Sequence, residues 1–149
     1  MTERLLLPTD FSVAAERGVR HGAELARRLG AAVTLAHVWD ASAIGEPPAT
    51  LGWTPSKQER LVTEVRAHLQ ANLDRAKEQV GGGVDVRTEL LEHHSPAAAL
   101  AEYADANGVD QIVVATHGRT GVSRLLLGSV AEKLVRLSPC PVLTVPARD

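Results

Sequence analysis

Strand-like and helix-like segments alternate along the whole chain, and this alternation limits the choice of fold more than any other feature. Short apolar runs are followed by longer segments whose apolar residues recur every three or four positions, as on one face of a helix. Apolar strands separated by helices indicate a parallel sheet that is covered by helices on both faces. The sequence therefore predicts an α/β fold.

Five segments carry the strand signal. The run after Gly30 is rich in β-branched residues, and the run after Gly83 places apolar or β-branched residues on alternate positions. The predicted strands are Arg4–Pro8, Ala32–Val38, Val84–Leu91, Gln111–Ala115 and Pro141–Val145.

Two of the predicted helices lie in the first half of the chain. Ser12 is placed to cap a helix that runs to about Gly30, where a glycine favours termination. Ser56 and Glu59 have the spacing of a capping box, in which each side chain bonds the other residue's amide. That second helix is expected to end at the glycines 81–83.

Two further helices are predicted in the second half. Ser95 is the expected cap of one, with Pro96 at its first helical position and its end near Gly108. A second capping box, Ser129–Glu132, opens a helix that runs to about Leu137.

Right-handed crossovers between successive parallel strands give a doubly wound sheet. With the switch point between the first and fourth strands, the expected strand order is 3-2-1-4-5. The length of 149 residues and the absence of a linker-like segment indicate one domain over residues 1–149.

Composition excludes several classes of protein. Hydrophobic residues make up 44% and charged residues 23%, which is the balance of an ordinary globular protein. The net charge of -2 argues against a general binder of nucleic acid or anionic membranes. No stretch approaches the ~20 apolar residues of a membrane span. One cysteine, Cys140, argues against a disulfide framework and for a reducing, cytoplasmic compartment.

Ligands of doubly wound folds bind beyond the carboxyl ends of the strands. Three segments fall there: Pro8–Asp10, His37–Asp40, and the segment from Ala115 to Ser129. Asp10 could contact a ligand, or it could merely end a strand and precede the helix cap at Ser12. We expect His37 to be a hydrogen-bonded histidine of the core rather than a residue that binds a ligand.

The third segment contains Gly118 and, after nine intervening residues, Gly128 and Ser129. Glycines allow a phosphate to approach the backbone closely, and a helix start offers unpaired amides with the positive end of the helix dipole. The same residues could serve only a turn and a helix cap. Both readings remain open from spacing alone, and the segment lacks the Walker A and dinucleotide fingerprints.

These motifs together resemble the universal stress protein family. Pro8–Ser12 resembles the opening of that family, and Ala115–Gly118 followed by Gly128-Ser129 resembles its nucleotide motif, Gly-x-x-Gly-x9-Gly-Ser/Thr. Ser138–Val145 resembles its terminal strand. The resemblance covers essentially the whole chain.

The resemblance implies a flavodoxin-like, Rossmann-like sheet, a homodimer, and ATP with a divalent metal, Mg2+, held through the phosphates. It places Asp10 and Val38 at the adenine and ribose, with Pro8 and Thr9 along that edge. The residues that it places at the ribose and phosphates are Ala115, Thr116, Gly118, Gly128, Ser129 and Val130.

Two positions depart from the family pattern. Ala115 stands where the motif has its first glycine, and its methyl group would crowd the phosphates if they lay against that backbone. Alanine is the smallest such change, so we expect it to be tolerated. His93 and His94 precede the third helix where a glycine is usual, and the sequence assigns them no role.

The favoured interpretation is a homodimeric sensor or switch that binds one adenine nucleotide per subunit and is involved in the stress response. The apolar last strand, Pro141–Val145, falls at a sheet edge and is the expected dimer contact. The alternatives are a slow metal-dependent ATPase and a nucleotide-free structural dimer. Hydrolysis needs a base that positions water, and the motif residues contain no clear one.

Overall fold

The computed structural model describes residues 2–45, 49–117 and 127–146. Strands and helices alternate through these ranges, with two short 3-10 turns, Ala41–Ile44 and Ala49–Leu51. The strands are β1 (Arg4–Pro8), β2 (Ala32–Trp39), β3 (Val86–Glu92), β4 (Gln111–Ala115) and β5 (Val142–Val145). The helices are α1 (Val13–Leu29), α2 (Pro55–Val80), α3 (Pro96–Asn107) and α4 (Ser129–Leu137).

The five strands pair in parallel in the order β3-β2-β1-β4-β5. This confirms the doubly wound α/β sheet and the strand order that the sequence predicts. β1 is central, and its Leu6 lies opposite Thr34 of β2 and Ile112 of β4. The strand order reverses at β1, so the chain connections diverge at its carboxyl end.

The hydrophobic core lies on both faces of the sheet because successive strand residues point to opposite sides. Leu5 and Leu7 pack with Leu35 on the side of α1 and α2, whereas Leu6 packs with Ile112 on the side of α3 and α4. Each of these five side chains is at most 1% exposed. Shortening one of the buried leucines to alanine is expected to cost about 2–5 kcal/mol.

The predicted ends of α1 and α3 are confirmed. The Ser12 hydroxyl accepts the amide of Ala15 at 3.1 Å, and α1 ends at Gly30 in the left-handed conformation, with φ 66°. Ser95 caps α3 with Pro96 at the first helical position, and Gly108 ends that helix with φ 61°. The caps satisfy amides that have no partner inside the helix.

The predicted start of α2 is wrong by two residues. Thr54, not Ser56, is the cap, and its hydroxyl accepts the amide of Lys57 at 3.3 Å. Pro55 takes the first helical position, where its fixed φ suits a helix and its missing N–H costs nothing.

The predicted cap of α4 is also wrong. Gly128 is the N-cap residue, and its carbonyl accepts the amide of Glu132 at 2.9 Å, the first hydrogen bond of the helix. No side-chain cap bond is present, so Ser129 occupies the first helical position and not the cap.

Three strand bounds differ slightly from the prediction. β2 runs one residue further, to Trp39, and β3 is Val86–Glu92 because its register with β2 begins at Val86. β5 begins at Val142, although the carbonyl of Pro141 already accepts the amide of Ile112 at 3.0 Å. Proline has no N–H of its own to extend the ladder.

Crossing a membrane takes about 20 consecutive apolar residues in a helix. α2 has 26 residues, but charged side chains occur along its whole length. Among the described residues, no helix combines the necessary length with the necessary apolar character.

Candidate functional site

A cavity of about 240 Å³ opens at the carboxyl ends of β1, β2 and β4. The first turns of α3 and α4 reach the same cavity through Pro96 and Ser129. This is the switch point of the sheet, where doubly wound folds bind their ligands. The described lining residues are Pro8, Thr9, Asp10, Ala15, Ala36, His37, Val38, Pro96, Leu100, Val114, Ala115, Thr116, His117, Gly128, Ser129, Val130 and Ala131.

Nine of the ten residues that the sequence singles out line this one cavity. They come from three separate parts of the chain: the end of β1, the end of β2, and the segment that joins β4 to α4. Gly118, the tenth, lies outside the described residues. The geometry places these residues together, and their contact with a ligand stays a prediction.

Sequence reasoning missed the apolar floor of the cavity. Ala36 lies two residues before Val38 on the same side of β2, and Leu100 lies one helical turn after Pro96. Strand and helix periodicity could have found both residues once Val38 and Pro96 were placed at the site. Ala15 and Ala131, which also have small side chains, line the cavity as well.

The turn between β1 and α1 is held by its own side chains. The Thr9 hydroxyl accepts the amide of Phe11 at 3.0 Å, and Asp10 Oδ1 accepts the amide of Ser12 at 2.9 Å. Such short local bonds are typical of Thr and Asp in turns. They fix the Asp10 side chain where it lines the cavity.

His37 ties this turn to β2. Its ring Nδ1 donates to the Thr9 carbonyl at 2.8 Å, and the Thr9 amide donates to the carbonyl of Ala36 at the same distance. Thr9 is 7% exposed and His37 is 9% exposed. His37 is therefore hydrogen-bonded and buried, as predicted, and it also lines the cavity.

β4 and α4 meet at a close backbone contact. The amide of Gly128 donates to the Thr116 carbonyl at 2.5 Å. A β-carbon at Gly128 would stand 2.5 Å from the same oxygen, closer than real β-carbons approach an atom. Gly128 has φ -58°, so this position needs glycine for space and not for backbone conformation.

The start of α4 supplies an anion-binding environment. The first amides of a helix have no partner inside it, and they carry the positive end of the helix dipole. The Ser129 hydroxyl lies here without a capping bond. Glu132, in the first turn, pairs with Arg136 at 2.8 Å, which offsets its negative charge.

The methyl group of Ala115 faces α1. Ala115 lies on the α1 side of β4 together with Val113. A β-carbon at Gly18 of α1 would stand 3.2 Å from the Ala115 β-carbon and 3.0 Å from its nitrogen. The missing side chain of Gly18 therefore provides space for this methyl group on the α1 side of the sheet, and the tolerance of the phosphates for Ala115 stays a prediction.

His93 and His94 stack at 4.5 Å between ring centroids, outside the cavity lining. His93 Nδ1 accepts the amide of Ser95 at 2.8 Å, so this ring supports the entry to α3. Nowhere in the described ranges do three or more His, Cys, Asp or Glu side chains form a group that could hold a metal ion.

Asp40, at the end of the second candidate segment, lies outside the cavity lining. The Ser42 hydroxyl donates to its Oδ1 at 2.6 Å and lowers the pKa of the Asp40 carboxyl. The carboxylate also accepts the amide of Ser42, which starts the 3-10 turn Ala41–Ile44. This aspartate serves the loop and not the cavity.

Comparison with known proteins identifies the fold and the family. A model of the universal stress protein family matches residues 1–146. Universal stress protein MJ0531 of Methanocaldococcus jannaschii is 34% identical over 145 residues, which is 96% of this chain and 81% of that protein. The solved structure of protein MJ0577, a universal stress protein of the same organism, superposes with a TM-score of 0.81 at 27% identity, over 100% of this chain and 99% of that one.

Two solved universal stress proteins that share this fold contain nucleotides. One was solved in complex with cAMP (TM-score 0.71, 23% identity, 99% of this chain and 98% of that one). The other, from Archaeoglobus fulgidus, was solved with dAMP (TM-score 0.61, 21% identity, 97% of each chain). At these identities the likeness shows the fold alone. With the family match over nearly the whole chain, the molecule described above is a member of the universal stress protein family.

Proposed function

We propose that this protein binds ATP in the cavity at the switch point, with Mg2+ held through the phosphates. The protein then acts as a cytoplasmic sensor or switch in the stress response rather than as a turnover enzyme. The observation that carries the proposal is that nine of the predicted ligand residues line one cavity at the start of α4. The cAMP and dAMP complexes of two proteins with this fold support adenine as the base.

The adenine and ribose are assigned to the end formed by β1 and β2. Pro8 and Val38 offer apolar surface there, and the carboxylate of Asp10 offers acceptors for ribose hydroxyl groups. Ala36 and Leu100 supply an apolar floor, which suits the face of a base.

The phosphates are assigned to the start of α4. The helix offers unpaired amides and a positive dipole end, and the Ser129 hydroxyl is not consumed by capping. Thr116 and Val130 line the same end of the cavity, and Gly118 is proposed to contribute from the adjoining segment. The Ala115 methyl group faces Gly18, so we expect the departure from the family motif to leave this end open to the phosphates.

The proposed homodimer uses β5. The carbonyl of Pro141 accepts the amide of Ile112 in β4, and the carbonyl of Val145 accepts the amide of Thr116, directly after β4. Alternation along the strand then directs the backbone groups of Val142 and Thr144 to the outer edge of the sheet. Such an apolar edge pairs readily with a second strand, and a twofold copy of β5 satisfies it.

The proposed cytoplasmic location, a reducing compartment, agrees with the presence of a single cysteine. Cys140 is a free thiol, and its amide and carbonyl are bonded by the Ser138 hydroxyl. A chain without a disulfide framework suits the cytoplasm.

The proposal is tested on the purified protein. Denaturing it and analysing the released small molecules by mass spectrometry is expected to yield an adenine nucleotide, at up to one per subunit. Calorimetric titration of the emptied protein with ATP and Mg2+ should then show saturable binding, with GTP and Mg2+ as the matched control for the base. Absence of adenine nucleotide from the first experiment, together with no heat of binding in the second, would refute the proposal.

A further inference from the structure

Phe11 has an unusual backbone conformation beside the cavity. Its φ is 65°, and it is the one residue other than glycine with positive φ among the described ranges. This left-handed region suits glycine, and a bulky side chain there is strained. Strained residues persist where the surroundings hold them, and they cluster at functional sites. Glycine would form the same turn without strain, so what Phe11 adds is its ring.

The ring of Phe11 contacts the ring of His37. The two centroids are 4.5 Å apart, with an angle of 36° between the planes. His37 in turn donates to the carbonyl of Thr9, and Thr9 accepts the amide of Phe11 through its hydroxyl. These contacts form a closed loop of three residues on one side of the β1–α1 turn. Because each member contacts the other two, we expect a shift of one to disturb the others.

Asp10 lies between Thr9 and Phe11 in the sequence, so two of the three residues in contact are its direct neighbours. Its Oδ1 accepts the amide of Ser12, and its side chain lines the cavity. The orientation of that carboxylate depends on the turn, because the turn sets both the Asp10 backbone and the Ser12 amide.

A second cavity, of about 250 Å³, lies on the other side of the turn. It is lined by Phe11 and by α2 residues that include Ala76. Phe11 also packs against the core cluster that includes Leu73 of α2, but the cavity shows that this packing does not enclose the ring completely. His37 is the one aromatic ring in contact with Phe11 among the described residues.

We propose that Phe11 and His37 are positioning residues for the ligand of the first cavity. Their ring contact holds the left-handed turn, and the turn holds the Asp10 carboxylate against the ligand. This inference rests on the proposed nucleotide function and assigns a role to two residues of the same site.

The competing explanation is that Phe11 only fills the core between α1 and α2, against which it packs. A double-mutant cycle on ATP affinity separates the two. Phe11→Gly keeps the left-handed backbone accessible and removes the ring, and Asp10→Ala removes the carboxylate. Leu25→Ala, a half-buried position on the same core cluster, is the matched control for a loss of packing.

If Phe11 acts through Asp10, Phe11→Gly should weaken ATP binding about tenfold in the wild-type background, and less than about twofold in the Asp10→Ala background. Leu25→Ala should lower stability without changing the affinity. An equal loss in both backgrounds, or no loss in either, would overturn the inference.

A second measurement needs no ligand. Amide hydrogen exchange at Ser12 reports the hydrogen bond to Asp10, with the amide of Ala31, bonded to Ala26 at the far end of α1, as the internal reference. Phe11→Gly and His37→Leu should each accelerate Ser12 exchange about tenfold relative to Ala31. His37→Asn, which keeps a donor near the position of Nδ1, should restore part of the protection. Unchanged protection of Ser12 in both loss variants would also overturn the inference.

The outcomes separate this inference from the proposed function. If the wild-type protein binds no ATP, the proposed function fails, and the exchange experiment still decides whether the two rings hold the turn. If the wild-type protein binds ATP and the Phe11→Gly variant binds it equally well, only the positioning role fails.

Discussion

The amide of Gly128 donates to the carbonyl of Thr116 at 2.5 Å, which joins the end of β4 to the start of α4. This contact brings together the two parts of the chain that the phosphates are proposed to touch. It also gives Gly128 a structural role of its own, because the space that a β-carbon would need is occupied by the same carbonyl oxygen.

Gly128→Ala is therefore expected to destabilise the protein by about 1–3 kcal/mol, as overpacking against backbone usually does. The measurement is equilibrium unfolding in urea. Gly82→Ala is the matched control, because a β-carbon there meets nothing within 4 Å. Equal urea concentrations at the midpoint of unfolding for the two variants would show that Gly128 is not needed for space. A bulky substitution at Gly128 thus disturbs the contact with Thr116 as well as the ligand space, so it cannot test binding alone.

Ala115→Gly is expected to leave ATP affinity within about threefold of the wild-type value. The Ala115 methyl group lies against Gly18 of α1, so its removal opens no space for the phosphates. Folding stability should fall by roughly 0.5–1 kcal/mol, the usual cost of glycine in a strand. Calorimetric titration checks the affinity, and a tenfold gain would show that the methyl group does crowd the ligand.

Much of the fold was predictable because local signals agree with one another. The caps at Ser12 and Ser95 and the stops at Gly30 and Gly108 act within a few residues, so sequence pattern alone identifies them. The Ser129 capping box failed because α4 starts from the contact between Gly128 and Thr116, which joins residues outside the helix.

The site was predictable only in part, for a similar reason. The motif residues are marked in the sequence by spacing and residue type, and nine of them line the cavity. The space for the Ala115 methyl group depends on Gly18, which is 97 positions away in the sequence (115 − 18). The bond from His37 to Thr9 likewise spans 28 positions. Such contacts depend on the packing of the sheet, and no local pattern encodes them.

Thr144→Pro is expected to convert the proposed dimer into a monomer. The backbone of Thr144 faces the outer edge of β5, so proline removes an outward N–H and leaves the hydrogen bonds to β4 in place. Thr144→Val keeps the N–H and should stay dimeric. Analytical ultracentrifugation at micromolar concentration should give twice 15.8 kDa for wild type and Thr144→Val, and 15.8 kDa for the proline variant. A wild-type mass of 15.8 kDa would exclude the dimer.

Hydrolysis of ATP is expected to be far slower than the roughly 1–100 per second of kinases. Among the described residues that line the cavity, Asp10 is the one carboxylate, and no lysine or arginine is present. Asp10 Oδ1 is already engaged by the amide of Ser12. Phosphate release with ATP and Mg2+ in excess measures the rate, and turnover above about one per second would reveal a catalytic group that this account lacks.

The phosphate site at the start of α4 is the central claim, and a carboxylate placed there tests it most directly. Ser129→Asp puts a negative charge at the first helical position. This charge interacts favourably with the helix dipole, so the protein should still fold, but it repels phosphates. Ser56→Asp, in the first turn of α2 and outside the cavity, is the matched control. Calorimetric titration with ATP and Mg2+ should show at least about a tenfold loss of affinity for Ser129→Asp, equivalent to ~1.4 kcal/mol, and no change for Ser56→Asp. Wild-type affinity in a folded Ser129→Asp protein would place the phosphates elsewhere and contradict the account.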